Sequence, residues 1–576
     1  MTYREQCQVW LDSGALSPSE RAELEAVLDD EAELESRFYA PLAFGTAGLR
    51  GIMGMGVNRM NLHVIRHATQ AFADVIRAEE PDCQRTGVAI CYDCRINSRA
   101  FAEAAAEVMT ANGIPVRFFE ALRPTPELSF AIRYYGCAAG INVTASHNPK
   151  EYNGYKVYWS DGAQLPPGPA SKIAARMAEM DMFRDVKTLP FSRAVEQGLV
   201  TFMGQETDEA FLSQVMAMAN DPETVASMAD SFHVVYTPFH GAGHILIPEA
   251  LRRLGLKHIH CVPEQMVLDG TFPTVVSPNP ENPEGFALAV ELARSVGADC
   301  IIGSDPDADR VGLMVRDREG NYITLSGNQT GVLLLDYLLS ARQRNGTLPP
   351  DAVALKTIVT TEMARRAAEA HGVRCIDTFT GFKFMAEKKN QLEAAGQGKV
   401  VFSYEESYGY MLGDYVRDKD AVTASLLLAE MAVWYAARNM TLYDALQALF
   451  EKYGYYGEKT VNLVMPGVDG QERMKALMAR LRQDPPAVIA GEDVLIRKDY
   501  QDGTVTDTAT GAVTAMELSG SDVLRYELAD GTSLLVRPSG TEPKIKFYIL
   551  TLGRDPADRD ARIARYEAYG LSLKED

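Results

Sequence analysis

Short apolar runs, each followed by a stretch of helical spacing, recur along the chain, and this repetition limits its fold more than any other feature. Residues 87–93, Gly-Val-Ala-Ile-Cys-Tyr-Asp, precede a helical pattern at 101–111. Residues 232–237 precede a second at 244–254, Cys300-Ile-Ile-Gly303 is a third run, and residues 355–359 lead into a helix at 362–371. Strands that are apolar throughout must be covered on both faces, as in largely parallel sheets built from βαβ units. At 576 residues the chain also exceeds what one core supports, so several α/β domains are expected. The C-terminal stretch differs. Residues 523–528, 533–536 and 546–552 read as closely spaced strands and 561–571 as a helix, which predicts a smaller α+β domain with an antiparallel sheet. Residues 1–38 predict one or two amphipathic helices, with the acidic run 29–35 as a solvated face. Proline-rich stretches at 165–170, 273–283 and 349–350 predict linkers or rigid loops.

Composition narrows the function. With 57 Lys and Arg against 78 Asp and Glu, the net charge is −21, which argues against broad binding to nucleic acid or an anionic membrane. A small anionic substrate stays open if basic residues are concentrated in particular loops. Residues 1–11 lack a basic-then-apolar signal pattern and no run of eighteen apolar residues occurs, so a cytoplasmic protein is expected. Eight scattered cysteines do not make a disulfide framework, and the Cys91/Cys94 pair lacks a second pair for zinc. Reduced cysteines beside a strand are expected.

Five loops carry the chemistry. Thr144-Ala-Ser146-His147-Asn-Pro149 follows a short strand, and its serine suits a turn, a helix cap or a nucleophile. The flanks are not the Gly-x-Ser-x-Gly of a hydrolase elbow. A serine that carries a phosphoryl group needs cationic neighbours and a divalent ion, and His147 and Lys156 are near enough in sequence to supply charge or proton transfer. Asp305-Pro-Asp307-Ala-Asp309-Arg310 places three carboxylates at alternate positions after an apolar strand, a hard oxygen set that suits Mg²⁺. A calcium EF-hand would need Gly and Glu where the chain has Arg310 and Arg316. Arg537-Pro-Ser539-Gly540-Thr541, with Lys544 and Lys546 beyond it, offers charge, hydroxyls and exposed backbone to a phosphate. Glu405 and Ser407 stand at alternate positions suited to two sugar hydroxyls, with Glu406 structural. Thr378–Lys383 reads as a turn.

Together these loops resemble the α-D-phosphohexomutase family over essentially the whole chain. The resemblance implies three related α/β domains with mixed, largely parallel sheets and a smaller C-terminal α+β domain around a central cleft. Their expected extents are a helical extension at 1–40, then domains at 41–200, 201–322, 323–460 and 461–576. It implies that Ser146 is phosphorylated and that Mg²⁺ sits among Ser146, Asp305, Asp307 and Asp309. It assigns Arg310 to the transferring group, and leaves Arg50, His147 and Lys156 as alternatives for acid–base roles. Thr380, Gly381, Lys383, Glu405 and Ser407 would hold the sugar, and Arg537, Ser539, Gly540, Thr541 and Lys546 the non-reacting phosphate. The implied reaction interconverts glucose 1-phosphate and glucose 6-phosphate, with glucose 1,6-bisphosphate as intermediate and activator. Residues 410–420 and the N-terminal extension resemble the branch of bacterial α-phosphoglucomutases and phosphopentomutases. Pentose or mannose phosphates, or silent sugar-phosphate binding, are the competing readings; monomer and dimer both stay open. Tyr404 and Pro306 stand where many members have Gly.

Overall fold

The computed structural model describes residues 1–46, 48–465, 470–539 and 544–574. The chain forms two compact units, residues 1–325 with 407–441, and residues 326–406 with 442–576.

The first unit opens with three helices, Tyr3–Asp12, Pro18–Glu25 and Glu31–Phe38, rather than the one or two expected. Local capping explains the breaks. Thr2 with Glu5 and Ser17 with Glu20 form capping boxes, and the Asp30 side chain caps the third helix. One sheet follows, from β1 (Leu49–Ile52), β2 (Val88–Tyr92), β3 (Val116–Phe119), β4 (Ala139–Val143), β5 (Tyr152–Trp159) and β6 (Val200–Met203), in the order β1-β5-β4-β2-β3-β6. A second contains β7 (His233–Thr237), β8 (His258–Cys261), β9 (Cys300–Ser304), β10 (Val311–Arg316) and β11 (Tyr322–Leu325), in the order β11-β10-β9-β7-β8.

Both sheets follow one plan: a parallel core, then an antiparallel return. β4, β2, β3 and β6 run parallel, and β5 comes back antiparallel to β4. β9, β7 and β8 run parallel, and β10 comes back antiparallel to β9. The serine loop is the β4–β5 turn and the aspartate loop is the β9–β10 turn. The fold therefore places both loops at the point where a buried parallel strand reverses. The apolar helix Ala421–Ala436, buried nearly all round, packs against the helix Gly243–Leu254.

In the second unit β12 (Ala352–Thr357) pairs in parallel with both β13 (Arg374–Thr378) and β14 (Lys399–Glu405). A separate antiparallel sheet runs in the order Tyr455–Val464, Lys544–Gly553, Ser533–Pro538, Leu524–Leu528, Glu492–Asp499, Thr504–Asp507, Val513–Ala515. The helices Gly470–Gln483 and Pro556–Ser572 cover it through Met474, Leu477 and Tyr566, which join Leu534 and Ile549 in one core. These are the mixed α/β layers and the antiparallel C-terminal domain expected from the sequence.

The stretch at 165–170 is not a linker throughout, because the helix Pro167–Glu179 begins inside it. Proline at the first helical position loses no hydrogen bond, so this one starts a helix. All eight cysteines are free. Cys91 is buried in β2, its thiol donates to the Arg123 carbonyl at 3.2 Å, and burial pushes it far above the ordinary thiol range. Among the described residues no helix is long and apolar enough to cross a membrane.

Candidate active site

Within the first unit the β4–β5 and β9–β10 turns meet. Ser146 is 3% exposed and its Oγ donates to Asp305 Oδ2 at 2.7 Å, with His147 Nδ1 at 3.2 Å. The serine backbone stands at φ +51°, a left-handed conformation that costs a non-glycine residue about 1–3 kcal/mol. Its surroundings hold it there. Ser146 N donates to Thr144 Oγ1 at 2.8 Å, and the buried Arg95 guanidinium donates to the Ser146, Asn148, Pro149 and Tyr152 carbonyls. Asp93 pairs with Arg95 Nε at 3.3 Å and fixes it in turn. Gly154 lets strands and loop approach closely, since a Cβ there would meet the Thr144 carbonyl oxygen at 2.4 Å. Arg50 on β1 reaches the same loop by donating to Asn148 Oδ1 at 3.0 Å.

The aspartate loop is curled by its own side chain. Asp305 Oδ1 accepts from the backbone N–H groups of Asp309 and Arg310, at 3.1 and 3.0 Å. Ala308 takes the left-handed φ of +48° that the curl requires. Neighbours pin it: Thr125 N–H donates to the Asp307 carbonyl at 2.8 Å, and Ala242 N–H to that of Pro306 at 2.7 Å. All three carboxylates therefore turn inward, fully buried, with donor atoms within 4.8 Å of one another.

Charge is balanced by lysines from elsewhere in the chain. Lys156 Nζ lies 2.7 Å from Asp307 and 3.1 Å from Asp309, and Lys419 Nζ lies 3.3 Å from Asp309. Burial alone would raise Asp309, but Lys156, Lys419 and Arg310 outweigh it and hold the carboxyl below its usual range. Asp305 gains less from these cations; burial and then Asp307 and Asp309 push it well above the carboxylate range. Burial would lower Lys156, yet Asp307 and Asp309 keep it raised and charged. Burial, then Arg310 and Arg50, hold His147 well below the imidazole range. Arg310 donates to the Ser407 carbonyl at 3.1 Å and to Glu281 at 3.3 Å, with Nε 3.9 Å from Asp309.

Two carboxylate oxygens, Asp307 Oδ1 and Asp309 Oδ1, are buried with no hydrogen-bond partner among the described residues. An orphaned buried acceptor is costly, and three clustered carboxylates repel. Both costs fall when a hard cation sits among them, so the donor set fits Mg²⁺.

The second unit gathers the other expected residues. Gly381 N–H donates to Glu405 Oε1, and Glu406 Oε2 accepts from the Thr357 and Thr360 hydroxyls at 3.2 and 3.3 Å. Gly381, at φ +119°, starts the helix Phe382–Ala394, which carries Lys383. Thr380 Oγ1 is buried without a partner among the described residues. Arg537 and Lys546 face each other across an antiparallel strand pair. Burial and then Arg537 lower Lys383, while burial and then Glu405 raise Glu406 against the opposing effect of Lys546. Ser539 N–H donates to the Lys544 carbonyl at 2.8 Å and closes the base of its loop; Gly540 and Thr541 lie outside the described residues. The structure thus groups Arg50, Ser146, His147, Lys156, the three aspartates, Arg310 and Ser407 in one unit. Thr380, Gly381, Lys383, Glu405, Arg537, Ser539 and Lys546 belong to the other.

Sequence reasoning missed Arg95, Thr125 and Lys419. In the sequence Asp93-Cys94-Arg95 stands out only for the Cys91/Cys94 pair, and Lys419 only as part of residues 410–420. A charged pair directly after an apolar strand was the available signal for Arg95.

Models of the phosphoglucomutase/phosphomannomutase α/β/α domains I, II and III match residues 41–183, 209–320 and 326–453, and that of the C-terminal domain matches 486–566. The chain belongs to the phosphoglucomutase/phosphomannomutase family. Among members, a phosphoglucomutase of Staphylococcus haemolyticus is 35% identical over 89% of this chain and 91% of its own. One of Staphylococcus aureus is 34% identical over 90% and 92%. The fold also matches solved structures of this family. A phosphoglucomutase/phosphomannomutase family protein of Burkholderia thailandensis gives a TM-score of 0.65 at 19% identity, covering 92% of this chain and 97% of that one. Parafusin of Paramecium, a phosphoglucomutase, gives 0.67 at 18% identity over 93% and 95%. Family membership carries phosphohexomutase activity as the general function, and the aspartate cluster is its candidate metal centre.

Proposed function

We propose that the protein is a phosphoglucomutase that interconverts α-D-glucose 1-phosphate and glucose 6-phosphate, with Ser146 as a reusable phosphoryl carrier. The observation that carries this reading is the Ser146 hydroxyl held 2.7 Å from Asp305 on a strained, tightly bonded loop. Such preorganisation suits a nucleophile that must stay aligned for in-line transfer. Phosphorylated Ser146 donates its phosphoryl group to the free hydroxyl of a sugar monophosphate, giving glucose 1,6-bisphosphate. The bisphosphate then returns its other phosphoryl group to Ser146. Asp305, Asp307 and Asp309, with the serine oxygen, would hold Mg²⁺, which when bound stabilises charge on the transferring group. Arg310 adds a second positive charge there, and Arg50, His147 and Lys156 supply charge and proton transfer around the reacting oxygen.

Thr380, Gly381, Lys383, Glu405 and Ser407 bind the sugar in this reading, and Arg537, Ser539, Gly540, Thr541 and Lys546 anchor the phosphate that is not reacting. Arg537 and Lys546 stand directly opposite each other on paired strands, so both can offer charge-assisted hydrogen bonds to one phosphate. Glucose is favoured over pentose or mannose because the staphylococcal relatives carry the name phosphoglucomutase. The test compares kcat/KM on hexose and pentose 1-phosphates, with Mg²⁺ and catalytic glucose 1,6-bisphosphate. Higher efficiency on glucose 1-phosphate is expected; higher efficiency on the pentose would reassign the substrate, and no turnover of either would leave a silent binder.

A further inference from the structure

Three histidines that take no part in the proposed reaction lie together on the second sheet. His233 opens β7, and His258 and His260 lie on β8, the edge strand. His233 and His258 are register partners and His260 is two residues further along, so all three side chains emerge on one face. His233 Nδ1 lies 3.1 Å from His260 Nε2, and the His233 and His258 rings stack at 4.3 Å between centroids. One nitrogen from each ring falls within 4.8 Å of the other two.

We propose that His233, His258 and His260 form a binding site for a borderline divalent transition-metal ion such as Zn²⁺. Three imidazole donors from two paired strands, with the fourth position left to water, are a coordination set that such ions prefer. Bonds of about 2.0–2.1 Å require the donors to draw closer, through rotation of the three half-exposed rings, two of which stand on the edge strand β8. The imidazoles bind the ion as neutral rings, each through one nitrogen lone pair. Asp299 supports the position of His233, because its carboxylate accepts the His233 backbone N–H at 2.8 Å.

This site is separate from the aspartate loop in place and in chemistry. β7 and β9 are parallel, with Val234 opposite Cys300; His233 lies before that pair and Asp305 beyond the far end of β9. Five residues of strand separate them, roughly 15–20 Å at about 3.3 Å per residue. The aspartates offer oxygen alone and favour Mg²⁺, whereas the histidines offer nitrogen alone and do not. The bound ion would tie the edge strand β8 to β7.

The experiment uses full-length protein without a histidine tag, freed of metal by chelation and then kept in excess Mg²⁺, titrated with Zn²⁺ by calorimetry. One Zn²⁺ per chain is expected, retained in Asp307→Asn. In the His258→Gln/His260→Gln double variant the affinity should fall by more than the roughly 10- to 100-fold that even a supporting residue contributes. Metal-free melting curves of variant and parent must coincide; if they do not, His258→Gln alone is measured against the same requirement. Absence of binding, binding unchanged by the histidine substitutions, or binding lost in Asp307→Asn would each overturn the proposal.

Discussion

Ser146 and its three aspartates are almost wholly buried, and the first unit already engages most of their polar atoms with Arg95, Thr144, Thr125, Lys156 and Lys419. Arg537 and Lys546 in the second unit are only half-buried, and they oppose each other with the same charge. Lysines of the same unit offset part of the charge in the first region, and Asp307 Oδ1 and Asp309 Oδ1 are left without a hydrogen-bond partner among the described residues. In the second, Lys546 acts on the buried Glu406 carboxyl, while Arg537 repels Lys383. In the proposed reading the first is the rigidly held centre of the chemistry, and the second holds the phosphate that is not reacting.

Removing the balancing charge from the first region should have the largest effect. Lys156→Met leaves Asp307 and Asp309 short of a cation in a buried site, and a loss of about 3–5 kcal/mol in unfolding free energy is expected by denaturant titration, together with loss of turnover. A variant as stable as the parent would show that the fold does not rely on this pair. Asp307→Asn keeps the size of the side chain and an acceptor for Thr125, so stability should change little. Its kcat should fall by about 10²–10³-fold, the scale of losing one transition-state stabiliser. A strongly shifted melting temperature with unchanged activity would reverse that assignment.

The second region should respond the other way. Arg537→Ala should lower kcat/KM by about 10–100-fold, the equivalent of one or two charge-assisted hydrogen bonds, with the fold intact. Unchanged KM and kcat would remove Arg537 from the site. Lys546→Thr removes both the like charge opposite Arg537 and a cation that acts on the buried Glu406, so it should leave stability within about 1 kcal/mol of the parent while weakening catalysis. Destabilisation beyond that would mean that Lys546 already has its main partner within the protein.

What the sequence disclosed follows from how local each feature is. Asp305, Asp307 and Asp309 lie within five residues, so their clustering shows in their spacing, as the serine loop shows in its place at a strand end. Arg95, Thr125 and Lys419 come from distant parts of the chain and reach the site only through sheet order and loop packing. The buried strands β2, β7 and β9 announced themselves as apolar runs. The strand Val513–Ala515 is exposed at every residue and carries no such pattern. The N-terminal helices were legible as amphipathic, but their number was set by the caps at Thr2, Ser17 and Asp30.

The central claim is that Ser146 carries the phosphoryl group. Intact-mass analysis and peptide mapping of full-length protein after incubation with glucose 1,6-bisphosphate test it most directly, with Ser146→Ala alongside. One added phosphoryl group, mapped to Ser146 and absent from an inactive Ser146→Ala, is the expected result. Phosphate on another residue, or a Ser146→Ala protein that turns over like the parent, would contradict it.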